Sequence, residues 1–129
     1  VTANLNAAEM AKGIVNEGRV AVYGVYFDTG KAELKPDSKP ALAEMAKMLQ
    51  QEPKMKVFVV GHTDNQGVPA QNLALSQQRA DAVVKALAEG YKIDPKRLSA
   101  KGIAAYAPLA SNRAEDGRQK NRRVELVEQ

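Results

Sequence analysis

The chain contains no cysteine and no tryptophan, and only four Tyr and two Phe among its 129 residues. Without Cys it can form neither a disulfide nor a thiolate metal site. The shortage of aromatics argues against a surface that stacks nucleic-acid bases. No apolar run approaches the roughly 20 residues of a membrane-spanning helix. No internal repeat of about 20 to 50 residues is present, and no segment is of low complexity. The chain opens Val1-Thr2-Ala3-Asn4, without Met and without a basic-then-apolar leader, which reads as a mature chain or a cut fragment. What is present is ordinary for a globular domain: 44% hydrophobic and 26% charged residues. A chain of this length buries about two thirds of its unfolded surface, enough for one core. Nineteen basic against fifteen acidic residues give a net charge of +4. That balance permits polyanion binding without requiring it.

Hydropathy patterning divides the chain into alternating elements. Residues 1–18 read as a weak linker or docking helix, with Leu5, Ala8, Ala11 and Val15 on one face and Gly18 as its stop. From Arg19 the β-branched and aromatic run Val20, Val22, Tyr23, Val25, Tyr26, Phe27 predicts a strand buried on both sides, inside a sheet. Asp37 or Ser38 then caps a helix with Pro40 in its first turn and a Leu42, Met45, Ala46, Leu49 stripe. Met55 to Val60 predicts a second strand. The next helix turns Ala80, Val83, Val84 and Leu87 inward and ends at Gly90. Arg97 to Ile103 is a third strand, Ser111 to Asn121 a polar stretch with room for a short helix, and Val124 to Val127 a last strand. The order βαβαβ-β predicts an α/β (α+β) two-layer sandwich, its helices on one face of a small mixed sheet.

Candidate chemistry concentrates between Gly61 and Arg79. Asp64 lies at the carboxyl end of a predicted strand, where ligands collect in α/β sheets. Arg79 follows about one turn into the next helix, after a loop that carries Asn65, Gln66, Gly67, Pro69, Gln71 and Asn72. Such a pair can hold a group bearing both an ammonium and a carboxylate, Asp64 taking the first and Arg79 gripping the second bidentately. It can equally be a plain salt bridge that staples loop to helix. His62, Asp64 and Ser76 include the residue types of a hydrolase triad, but nothing like a nucleophile elbow surrounds Ser76, which reads as a polar residue of the helix's first turn. A lone histidine lacks a metal-ligand set, and no phosphate-loop lysine follows the glycines. The cluster Arg118-Gln119-Lys120-Asn121-Arg122-Arg123 is short and free of aromatics. It suits a solvated strand entry better than a nucleic-acid patch.

Four segments together carry a resemblance: Tyr26-Phe27-Asp28, Gly61-His62-Thr63-Asp64-Asn65-Gln66-Gly67, Asn72 through Ala80, and Asn121-Arg122-Arg123-Val124. In order and spacing they resemble the OmpA-like peptidoglycan-binding domain, the module shared by OmpA, Pal lipoproteins and MotB. The match covers about Val20 to Val127, so residues 19–129 are expected to form that domain. The resemblance implies a noncatalytic, cofactor-free binder of peptidoglycan through the diaminopimelate of its stem peptide. It places the domain in the periplasm, tethered to the outer membrane by an anchor upstream of Val1, with homodimerisation left open. Carried over by position, it assigns the ligand ammonium to Asp64 and the carboxylate to Arg79. Phe27, Asp28 and Leu75 would line the pocket, Thr63 and Asn72 would support the loop, and Arg123 or Arg122 would stand at the rim. The competing expectation is a protein-interaction or dimerisation module with a structural Asp64–Arg79 pair.

Overall fold

A computed structural model of the chain describes residues 5–129. Val1 to Asn4, the start of the expected first helix, lie outside the described residues. Helix α1 (Ala7–Glu17) opens on a reciprocal cap. The Asn6 side chain accepts from the Glu9 amide at 2.8 Å, and Glu9 Oε1 accepts from the Asn6 amide at 3.0 Å. It ends where Gly18 turns left-handed at φ 82°. Its buried face is rotated from the expected one: Leu5 and Ala11 pack half-buried against the core, but Ala8 is exposed. Ala7, Met10 and Ile14 enter the core while Val15 is 67% exposed. The large side chains Met10 and Ile14, one turn apart, bury more apolar area than an alanine-based stripe, and that decides the rotation of the helix.

Strand β1 (Arg19–Val22) is half as long as its apolar run and lies at the edge of the sheet, not inside it. The order is β1-β4-β2-β3, with β2 (Val57–Gly61), β3 (Leu98–Gly102) and β4 (Val124–Glu128). Strand β4 runs antiparallel to both β1 and β2, whereas β2 and β3 are parallel. The β1 ladder stops because Val22 pairs with Val124, the first residue of β4. Beyond it, only Phe27 returns to a β-bridge, with Leu34. Ser38 secures this departing segment. Its hydroxyl accepts from the Tyr26 amide at 2.8 Å and donates to the Tyr26 carbonyl at 3.2 Å. Ser38 therefore precedes helix α2 (Lys39–Gln51) without capping it by side chain. The expected stripe of α2 is buried, together with Met48.

Helix α3 (Pro69–Lys85) crosses from β2 to β3 and packs on both, continuing into a wider turn over Ala86–Gly90. It begins earlier than the loop-like composition suggests, because Pro69 presets the first helical φ. Arg79 is thus about three turns into the helix rather than one. Ser76 lies two turns in and is buried. Its hydroxyl donates to Leu73 O and accepts from the Ala104 amide. The Gln77 amide accepts from Gly102 N at 2.9 Å and donates to Ala100 O at 3.0 Å, so it meets the outer edge of β3 as another strand would. This docking requires bare backbone in the strands. A Cβ at Gly61 would strike the Ser76 carbonyl, and one at Gly102 would strike the Gln77 amide. A short helix α4 (Glu115–Asn121) leads into β4.

Helices cover one face of the sheet, where Val22, Val57, Val59, Leu98, Val124 and Leu126 join the core. Alternation sends Phe58, Val60, Glu125 and Val127 to the other face, where with Arg19, His62, Lys101 and Arg123 they line a shallow groove of about 500 Å3. Beneath it, Arg123 Nε donates to Glu125 Oε2 at 2.6 Å, and Arg19 donates to the same carboxylate at 3.1 Å. Burial would raise the Glu125 pKa, but the Arg123 hydrogen bond and neighbouring positive charges outweigh it and hold the carboxyl below the usual range. His62 is 6% exposed, and neither ring nitrogen has a hydrogen-bond partner among the described residues. Burial, then the Arg123 charge, lowers its pKa to about 4 despite the opposing pull of Glu125.

Two outcomes follow from this packing. Gly102→Ala should destabilise the domain by about 3 kcal/mol, because backbone must move, whereas Gly90→Ala, with nothing near its Cβ, should change stability by less than about 0.5 kcal/mol; urea melts compare them. His62 binds its proton more weakly folded than unfolded, so its contribution is complete above pH 6.5 and is lost as pH falls toward 4. Wild type should lose about 2 kcal/mol between pH 7 and pH 4.5, and His62→Asn should not lose it over that interval. Equal slopes in the two chains would reject the buried neutral imidazole.

Candidate functional site

The Asp64 loop leaves β2 under close backbone control. His62 N donates to Arg123 O and Thr63 N to Ala104 O, both at 2.9 Å, so the loop is pinned to two neighbouring segments. The Thr63 hydroxyl donates to Asp64 O, and the Gln66 amide donates to Asp64 Oδ1 at 3.0 Å, closing a tight Asx-type turn. Asn72, in the first turn of α3, donates to Gln66 O at 2.8 Å. Gly67, at φ 90°, supplies the left-handed residue between them. Thr63 and Asn72 therefore hold loop backbone.

Arg79 approaches the same end of the sheet from α3. Its Nε donates to Lys31 O at 2.9 Å and its Nη2 to Asp28 O at 3.2 Å, while the guanidinium carbon lies 4.9 Å from the centroid of the Phe27 ring. Burial lowers the Arg79 pKa against the opposing pull of the Asp64 charge. They do not touch: Asp64 and Arg79 share neither a hydrogen bond nor an ion pair. The structural salt bridge expected as an alternative is absent. Phe27 supplies a ring face and Asp28 a backbone carbonyl; the Asp28 carboxylate itself is exposed and pairs with Lys35 at 3.5 Å. Leu75, half-buried, precedes Arg79 by one helical turn and shares its face.

The arginine that reaches Asp64 is Arg122. Its Nη1 donates to Asp64 Oδ2 at 2.5 Å and its Nη2 to Glu115 Oε2. Arg123, expected beside the site, lies instead on the opposite face of the sheet with Glu125. Consecutive residues entering a strand point to opposite faces, so only one of the two can reach Asp64. Buried Asn121 sets which one. Its side chain accepts from the amides of Leu109 and Ala110 and donates to Ala110 O and Asn112 Oδ1, fixing the strand entry against that loop. The Glu115 bond, then that of Asp64, raises the Arg122 pKa, and the Arg122 and Arg118 bonds lower that of Glu115. Sequence reasoning missed Glu115, although Glu115, Arg118 and Arg122 stand at i, i+3 and i+7, one face of a helix. It read Ser38 as a possible helix cap, whereas its hydroxyl instead holds the Tyr26 backbone.

His62 faces the groove on the sheet's other side, and Ser76 bonds to Leu73 and Ala104, so no hydrogen-bonded triad links them to Asp64. Among the described residues no cluster of three or more His, Asp or Glu is arranged to hold a metal ion. The arrangement is suited to binding: a carboxylate and a backbone-anchored guanidinium at one strand end, separate from one another.

A family model described as the OmpA family matches residues 26–122. The chain is 42% identical over 100 residues to outer membrane protein Omp38 of Acinetobacter baumannii, covering 78% of this chain but only 28% of that protein. The peptidoglycan-associated lipoprotein from Burkholderia pseudomallei has a similar structure, with TM-score 0.72 and 31% identity, over 81% of this chain and 88% of that one. The cell wall anchor of the T6SS from Pseudomonas aeruginosa aligns over 96% of both chains, with TM-score 0.74 and 27% identity. The motifs, the fold and these similarities agree that the chain belongs to the OmpA family.

Proposed function

We propose that this domain is a noncatalytic peptidoglycan binder that takes the diaminopimelate residue of the stem peptide and so anchors an envelope protein to the cell wall. The observation that carries the reading is the separation of Asp64 from Arg79. Because the two do not pair with each other, Arg79 keeps its charge for a ligand carboxylate, while Asp64 is held by Arg122, which a ligand ammonium would replace. Two donors of Arg79 are spent on the carbonyls of Lys31 and Asp28, which aims the guanidinium and leaves Nη1 without a partner among the described residues. Asp64 would take the ligand ammonium and Arg79 its carboxylate, with Phe27, the Asp28 backbone and Leu75 as walls and Thr63 and Asn72 as loop supports. The names of the two similar structures, a peptidoglycan-associated lipoprotein and a cell wall anchor, support attachment to peptidoglycan. Among the described residues no helix is long and apolar enough to cross a membrane. A periplasmic domain tethered through other parts of a longer protein fits the small share of Omp38 that the chain spans.

The competing reading, a protein-interaction or dimerisation module, draws no support from a direct Asp64–Arg79 salt bridge, because the two side chains do not pair. Wild-type protein should cosediment with purified sacculi and bind free diaminopimelate in titration calorimetry. Asp64→Ala and Arg79→Ala should each weaken binding by about 2–5 kcal/mol, since each leaves one charge of a desolvated ligand unmatched. Undiminished cosedimentation by both variants, with unchanged circular dichroism, would remove these residues from the site. Nonspecific adhesion of the basic surface should fade with added salt before the pocket contact does.

A further inference from the structure

Asp64 is a poor free anion. Its carboxylate side chain is only 12% exposed, and both oxygens are engaged, Oδ1 by the Gln66 amide and Oδ2 by Arg122. The same Arg122 guanidinium reaches a second carboxylate, Glu115, through its other terminal nitrogen. Glu115 is 55% exposed and is also held by Arg118 Nε at 3.1 Å. One cation is therefore shared between an inner carboxylate at the site and an outer one in water.

We propose that Arg122 is an internal stand-in for a ligand ammonium at Asp64, and that Glu115 is the seat to which it withdraws when a cationic ligand arrives. The proposal rests on Asp64 receiving the ligand ammonium, as inferred above. A buried carboxylate without a counter-cation is costly, and Arg122 removes that cost in the absence of a ligand. Exchange then replaces one ion pair by another, so a simple amine gains little from Asp64. A ligand that also carries a carboxylate adds the contact with Arg79, which no internal group replaces. The exchange thereby selects molecules bearing ammonium and carboxylate together over plain amines. Glu115 is a positioning residue: it touches no ligand and acts through Arg122. Its planar guanidinium can stay on Glu115 while leaving Asp64, because separate nitrogens serve the two carboxylates.

Titration calorimetry of the whole chain with diaminopimelate and with cadaverine, a diamine without carboxylates, tests this. Arg122→Gln should bind cadaverine about tenfold more tightly than wild type and so lose selectivity. Glu115→Gln, at an exposed position where folding is not at stake, should bind diaminopimelate about threefold to tenfold more weakly, because Arg122 then rests on Asp64 alone. The double variant should match Arg122→Gln, since Glu115 has no effect without Arg122. A persistent Glu115 effect in the Arg122→Gln background, or unchanged selectivity in Arg122→Gln, would overturn the exchange while leaving Asp64 and Arg79 in place. Failure of diaminopimelate to bind both wild type and Arg122→Gln would overturn the underlying ligand assignment and the exchange with it.

Discussion

The close approach of α3 to the ends of β2 and β3 is the constraint on which the rest of the domain depends. Gly61 and Gly102 leave backbone bare where Ser76 and Gln77 press against the strands. Ser76 ties the helix to Ala104, Gln77 ties it to the β3 edge, and Ala104 in turn holds the amide of Thr63. A single packing contact thus sets both the loop that carries Asp64 and the helix that carries Arg79. Were α3 displaced by the diameter of a methyl group, the two charges would no longer share a rim in this geometry.

Charge is managed differently on the two sides of the sheet. On the open face the carboxylate of Glu125 is buried and answered by Arg123 and Arg19, and His62 beside it is kept neutral by burial. Such a cluster is weak evidence for net stability, but removing one partner would strand the others. At the other site the pairs are half-exposed and divided. Asp64 is answered by Arg122, while Arg79 is answered by carbonyl oxygens and a ring face, not by a carboxylate. Backbone carbonyls orient a guanidinium without neutralising it. That leaves a net positive group available to an incoming anion, in keeping with a binding role.

Much of the architecture was legible from periodicity. The stripes of α2 and α3, the position of β4 and the glycine stop of α1 each reflect local rules that tertiary contacts did not override. The misreadings share one cause. The rotation of α1 followed side-chain size, because alanines and valine fit the same period as Met10 and Ile14 but bury less area. The run from Val20 to Phe27 has strand propensity throughout, yet its partner β4 begins opposite Val22 and offers no ladder beyond. Helix α3 starts at Pro69 because local φ restriction outweighs a polar, loop-like composition. Each required knowledge of a neighbour, or of an energy that period alone does not carry.

By itself the sequence determined the order of elements, the face of most helices and the segments that carry chemistry, because these depend on local propensity and on motif spacing. It placed Asp64 at a strand end and Arg79 on the helix that follows. Whether the two would neutralise each other was decided only by tertiary structure. So was the choice between Arg122 and Arg123, which differ by one residue and are separated by the thickness of the sheet. Strand alternation makes such neighbours opposite in direction, and only the packing of Asn121 against the 109–112 loop sets which direction each takes. The absence of cysteine and the scarcity of aromatics excluded several functions. The site itself rests on contacts between residues 48 to 58 positions apart, Arg79 with Lys31 and Asp28 and Asp64 with Arg122, which no local pattern encodes.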